Sequence, residues 1–130
     1  MSAVIELDFN QSGLGSRIDA LSKSDLDALG FGVIGFDKDG IVRLYNELES
    51  KMAGLSPQRV LGFSLFTVVA PCMNNFMVAQ CFEDAAINSS ALDTTIDYVL
   101  TLRMRPVKVK LRLLATPGAA LRYVLVRRAS

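Results

Sequence analysis

Two β-rich runs near the front of the chain, three more at its end and broken helical segments between them predict an α+β domain. Its core is a five-stranded antiparallel sheet with helices crossing one face and a short helical N-terminal cap. The front runs, 31–36 and 41–45, flank Asp37-Lys38-Asp39-Gly40, whose Asp-Gly step supplies the positive φ of a tight hairpin. The closing runs, 94–104, 107–113 and 121–127, are separated by turns near Arg105-Pro106 and at Thr116-Pro117-Gly118.

The first fifteen residues read as an irregular lead. Ser16 is placed to cap a short helix carrying Ile18 and Leu21, and Ser24 a second one from Asp25 to Leu29, because a serine oxygen accepts from the free amides of a first turn. Residues 1–28 are therefore expected to form the cap and 29–130 the core of a single domain. Leu21, Leu26 and Leu29 are expected to pack on the sheet, and a cap this small, held by few contacts, is the part expected to detach. Between the two sets of strands, 46–53 reads as a turn or two of helix ended by Gly54. Ser56-Pro57 reads as an N-cap and first helical position, and 65–69 as another short helix. A longer helix over 75–87 carries Phe76, Ala79, Phe82 and Ala86 as its core stripe. In 107–113, Lys108, Lys110 and Arg112 alternate with Val107, Val109, Leu111 and Leu113, which predicts a solvated face and a core face.

At 130 residues and 51% hydrophobic content the chain is expected to build one core. Fourteen Lys and Arg against 13 Asp and Glu give a net charge of +1, so no global field favours nucleic acid or acidic lipid. The absence of histidine removes the usual general base, metal ligand and haem ligand, and no enzyme or metal site is expected. Cys72 and Cys81 lack CxxC spacing, and neither a secretory leader nor a membrane span is legible, so the expectation is a reduced, cytoplasmic protein with free thiols.

The chemistry-bearing residues are Cys72, closing the apolar run Phe66-Thr67-Val68-Val69-Ala70-Pro71-Cys72, and the cluster Tyr45-Asn46-Glu47-Leu48-Glu49 upstream of it. Each alone has a plainer reading: a structural thiol, a strand-end aromatic, a solvated helix carboxylate. The helix rotates by about 100° per residue, which makes Glu47 the outward carboxylate and leaves Glu49 for the interior. The element order, with Ala53-Gly54-Leu55-Ser56-Pro57 followed by Val60-Leu61-Gly62, resembles the PAS superfamily. Within it, Leu44-Tyr45-Asn46-Glu47-Leu48-Glu49, Val68-Val69-Ala70-Pro71-Cys72 and Met104-Arg105-Pro106-Val107-Lys108-Val109-Lys110 together resemble the photoactive yellow protein family, over about residues 26–128.

That resemblance implies a blue-light photoreceptor in which Cys72 holds p-coumaric acid (4-hydroxycinnamic acid) as a thioester. Tyr45 and a protonated Glu49 would hydrogen-bond its phenolate. Leu65, Val69, Leu100 and Met104 would wall the pocket, with Met104 easing the return to the trans isomer. It further implies light-driven trans–cis isomerisation, proton transfer from Glu49, loosening of the cap and thermal recovery, with the signal passed by contact to a downstream signalling protein. A monomer or weak dimer is expected. The chain departs from the family at Ala53, where a threonine commonly supports the tyrosine, and at Leu55, where an arginine commonly lies over the pocket. A less tightly fixed phenolate and shifted colour and recovery are expected. The rival from another class is a pigment-free PAS interaction or dimerisation module, which has the fold and stays colourless. An enzyme using Cys72 has no histidine to activate it.

Overall fold

The computed structural model of the protein describes residues 7–101 and 106–128. Its centre is a five-stranded sheet in the order β2-β1-β5-β4-β3, with every neighbouring pair antiparallel. The strands are β1 (Gly32–Phe36), β2 (Val42–Tyr45), β3 (Leu92–Leu100), β4 (Val107–Ala115) and β5 (Arg122–Arg128). The first strand lies second from one edge of the sheet and makes the β1–β2 hairpin. The chain then crosses one face through helices α3 (Glu47–Ala53), α4 (Pro57–Val60) and α5 (Ala79–Ile87), and closes with the β3–β4–β5 meander. Asp37 Oδ1 accepts from the amides of Asp39 (2.9 Å) and Ile41 (3.1 Å), and Gly40 takes φ 80°, which turns the hairpin within four residues.

Helix α3 is bounded as the sequence predicts. Asn46 accepts from the Glu49 amide at its start, and Gly54 in the left-handed region (φ 73°) ends it. The two helices before the sheet are bounded differently. Helix α1 (Leu14–Asp19) starts after Gly13, so Ser16 lies inside it, and α2 (Lys23–Asp27) is capped by Ser22, not Ser24. Ser22 has the extended backbone (ψ 168°) that aims its oxygen at the Asp25 amide, which a residue already in the helix lacks.

Helix α5 is shorter than its periodicity suggests. Asn75 Oδ1 accepts from the Met77 and Val78 amides in a turn ahead of it, leaving Phe76 79% exposed. The buried stripe is Val78, Phe82 and Ala85 rather than one through Phe76 and Ala86.

Both faces of the sheet carry a core, and the solvated-face reading fails at Arg112 but holds toward the β3 edge, where Asp93, Thr95 and Asp97 are exposed. On the helical side Ile34, Val109, Leu111, Leu113, Val124 and Val126 join the residues of the crossing segment in the larger core. On the other, α1, α2 and the lead residues Leu7 and Phe9 cover Val33, Leu114, Tyr123 and Leu125 in a second core. Lys108 and Lys110 remain exposed, whereas Arg112 is buried beneath the lead. Arg112 grips both Asp93 oxygens (2.9 and 2.8 Å) and donates through Nη1 to the carbonyls of Phe9 (2.8 Å) and Gln11 (2.6 Å). The Tyr123 hydroxyl bonds Asp19, and Arg127 lies 5.7 Å from the centre of the Phe9 ring. The N-terminal segment is thus fastened by an apolar core and several polar ties, more than its length predicts.

Candidate functional site

The crossing segment gathers the residues singled out in the sequence. Tyr45 ends β2 with its ring buried, and α3 begins two residues later, so Glu49 falls on the inward side of the first turn and Glu47 on the outward side. Beyond α4, a one-turn π-helix over Leu65–Val69 turns Leu65 and Val69 inward. Pro71 then starts a tight 3-10 turn, Pro71–Met73, that holds Cys72 half-buried at the edge of the core with its thiol free.

Tyr45, Leu65, Val69 and Leu100 belong to one apolar cluster, with Leu55 and Cys72 packed against it. Ala53 is buried on α3, one turn beyond Glu49. Met104 lies outside the described residues. Cys81 is half-buried on α5, its sulfur 3.3 Å from the Met77 carbonyl oxygen.

Glu49 is 1% exposed, and its surroundings differ from the simple expectation of a carboxyl group kept protonated by burial. Arg128, at the end of β5, donates Nη1 to one Glu49 oxygen (2.7 Å) and Nη2 to the other (3.1 Å). Both groups are shielded, with side-chain exposures of 10% for Arg128 and 1% for Glu49. Burial pushes the Glu49 carboxyl group above its ordinary range, while the hydrogen bonds and charge of Arg128 pull it back. Tyr45 is close enough to feel both. Its phenol is pushed up by burial and then by the Glu49 charge, with Arg128 opposing.

Space for the carboxyl group comes from Gly32 of β1: a Cβ there would stand 2.2 Å from Glu49 Oε1 and 3.1 Å from Glu49 Cβ. Gly32→Ala is expected to force α3 away from β1 and destabilise the protein by about 2 kcal/mol, as overpacking does in a filled core. Urea unfolding measures this, and an alanine variant as stable as the parent would show that α3 shifts freely.

Four positioning residues escape sequence reasoning in different degrees. Asn46 bridges β1, α2 and α3. Its Oδ1 accepts from Val33 N (2.9 Å) and Glu49 N (3.2 Å), and its Nδ2 donates to the carbonyls of Leu26 (2.9 Å) and Phe31 (3.0 Å). The sequence reading starts the helix at Asn46 without making it a cap, and its contact with the N-terminal helices leaves no local signal. At the other end of the site, Tyr98 of β3 and Asn75 hold the Cys72 carbonyl: the Tyr98 hydroxyl donates to it, and Asn75 Nδ2 donates to it (3.1 Å) and to the Tyr98 oxygen (2.6 Å). An asparagine three residues before Val78 is a turn signal, whereas nothing in the pattern pairs Tyr98 with Cys72. Arg128, 79 positions from Glu49, leaves no sequence signal at all.

The sequence profile of the PAS fold matches residues 23–127. A photoactive yellow protein of Rhodothalassium salexigens is 30% identical over 105 residues, covering 81% of this chain and 83% of the relative. One from Halochromatium salexigens is 32% identical over 105 residues, with the same 81% and 83% coverage. The solved photoactive yellow protein domain of the sensor histidine kinase Ppr from Rhodospirillum centenum superposes with a TM-score of 0.79 at 34% identity, over 87% of this chain and 98% of that domain. Fold, order of elements and relatives agree, and the chain belongs to the photoactive yellow protein family, within the PAS fold.

Proposed function

We propose that the protein is a blue-light photoreceptor carrying p-coumaric acid as a thioester on Cys72 Sγ, and that it signals to a downstream protein rather than catalysing a reaction. One observation carries this reading. A free thiol and a buried phenol share one apolar cluster on a single sheet face, and a buried carboxyl group adjoins the phenol. The donor set fits the pigment: a nucleophilic sulfur for the acyl end, hydroxyl and carboxyl groups for a phenolate, and aliphatic walls between.

When bound, the pigment supplies blue-light absorption, trans–cis isomerisation and a phenolate able to take up a proton. Tyr45 donates its O–H to the phenolate, and Glu49 donates a second hydrogen bond while protonated, a form its burial favours. Leu65, Val69 and Leu100 exclude water, with the half-buried Leu55 and the buried Ala53 as further lining; Met104 is proposed as a further wall. Asn75 and Tyr98 fix the Cys72 carbonyl, and so the peptide that presents the sulfur. On illumination Glu49 gives up its proton, and a buried carboxylate is left behind at a cost of several kcal/mol unless it finds a counter-charge. That cost is on the scale of a domain's whole stability, about 5–15 kcal/mol, and the N-terminal cap of residues 1–28 is the part proposed to loosen.

The pigment-free interaction module remains the second reading, favoured by one observation: both Glu49 oxygens find their partner within the chain, in Arg128. An absorption spectrum after adding an activated p-coumaric acid, with Cys72→Ala in parallel, separates the two. A visible band in the parent alone, bleached by blue light and restored in the dark, is expected. No band in either protein would overturn the photoreceptor and leave the module.

A further inference from the structure

The counter-charge that the bare Glu49 needs is already in place. Arg128 meets it fork to fork, with two hydrogen bonds at 2.7 and 3.1 Å, the geometry that favours a carboxylate over a carboxylic acid because each oxygen accepts. We propose that Arg128 is the residue that holds the Glu49 side chain whenever Glu49 is without its proton, both in the pigment-free protein and in the bleached state that follows illumination. The second half of this inference rests on the photoreceptor reading; the first does not.

The surroundings point to a dedicated pair. Gly32 leaves the space the carboxylate occupies, and the Asn46 cap fixes the first turn of α3 from which Glu49 reaches β5. The other charged groups near the start of α3 are committed elsewhere: Asp27 accepts from the Glu47 amide (2.8 Å) and pairs with Lys23 (3.0 Å), and Glu47 pairs with Lys51 (3.0 Å) on the outer side. Tyr45, from β2, is the remaining titratable group whose charge state is coupled to Glu49. β1 contributes glycine and apolar residues to this side, and β5 contributes Arg128.

The proton balance is simple. In the pigment-free protein the paired form of Glu49 has released its proton to solvent, and Arg128 neutralises the charge. After illumination the Glu49 O–H bond breaks with its electron pair staying on the carboxylate, the proton moves to the phenolate oxygen, and the carboxylate turns to Arg128. Recovery reverses both steps, so Arg128 lengthens the life of the bleached state by stabilising the carboxylate within it.

The test begins without pigment. Carbon-13 spectra of glutamate-labelled protein follow the Glu49 carboxyl group through a pH titration in the parent, Arg128→Gln and Arg128→Lys. Losing a contacting positive charge should raise the midpoint by about one pH unit or more in Arg128→Gln, and Arg128→Lys should restore most of the difference. Equal midpoints in parent and Arg128→Gln overturn the pairing. If Arg128→Gln does not fold, the parent decides alone: its Arg128 Nη hydrogens should rotate slowly and lose that restriction in Glu49→Gln, and freely rotating Nη groups in the parent overturn the pairing.

In the loaded protein, a one-unit stabilisation corresponds to a roughly tenfold shorter bleached-state lifetime in Arg128→Gln. An unchanged lifetime overturns the light-dependent half. Failure of every variant to take up pigment would count against the photoreceptor while leaving the titration of the pair to stand.

Discussion

Replacing Asn46 with alanine is expected to lower the unfolding free energy by about 3 kcal/mol, because one side chain serves two amides and two carbonyls in a buried position. The loss is not only that of a helix cap. Asn46 accepts from Val33 where the β1–β2 ladder runs out, and its amino group holds the last turn of α2 through the Leu26 carbonyl. Hydrogen exchange should therefore quicken in two places at once, the first turn of α3 and the segment from Leu26 to Phe31. Urea unfolding gives the magnitude. A loss below about 1 kcal/mol would mean that water replaces the side chain in all its roles. Because Glu49 follows in the same turn, the variant should also blur the position of its carboxyl group, visible as a broadened Glu49 carboxyl resonance.

Arg112→Ala is expected to cost about 2 kcal/mol and to release the lead segment selectively. The guanidinium is buried beneath that segment and supplies the hydrogen bonds to the Phe9 and Gln11 carbonyls. Amides from Asp8 to Gly13 should exchange at least about tenfold faster, with the β3–β4 ladder little changed. The effect carries a pH signature. The hydrogen bonds of Arg112 hold the Asp93 carboxyl group below its usual range, against a smaller opposing effect of burial. A depressed carboxyl group contributes stability that is present above its unfolded pKa and lost as pH falls through the folded one. The gap between parent and variant should thus be full at neutral pH and narrow in acid, below the ordinary aspartate range. Asp93 is itself half-exposed, so solvent screening keeps this pH-dependent part the smaller share. A gap constant down to strong acid would show that the two carbonyl bonds alone do the work.

Much of the fold is legible because its punctuation is local. Asp-Gly in the first hairpin, Asn46 and Gly54 around α3, Pro57 opening α4 and the alternation of the last three strands each need only a few neighbouring residues to be read. What was missed depends on distant chain. Period-two alternation in β4 separates Arg112 from Leu111 and Leu113, but it cannot say that residues some hundred positions earlier cover the cationic side. Ser16 and Ser24 have the right chemistry for caps and the wrong backbone, a distinction a residue's identity does not carry. Phe76 has helical spacing from Ala79 and Phe82, yet the side chain of Asn75 bends the chain before the helix begins.

The site divides in the same way. Tyr45, Leu65, Val69, Leu100 and the half-buried Cys72 and Leu55 come together in one cluster, and of these the wall positions were named only through the family resemblance. The inward carboxylate of α3 follows from helical rotation. Its arginine comes from the last strand, and a pair separated by 79 positions has no period to announce it.

Arg127 and Arg128 are neighbours in β5, yet one stacks on Phe9 under the N-terminal segment and the other grips Glu49 across the sheet. What separates their duties is parity: odd positions Tyr123 and Leu125 look toward one core, even positions Val124 and Val126 toward the other. A one-residue insertion ahead of Arg127 would exchange the faces of the two arginines, bringing Arg127 to the place opposite Glu49 and turning Arg128 to the side of the N-terminal segment, one position beyond the place Arg127 left. The sheet is in that sense a coin with a message on each side, and the register of its second-to-last stitch decides which side is which.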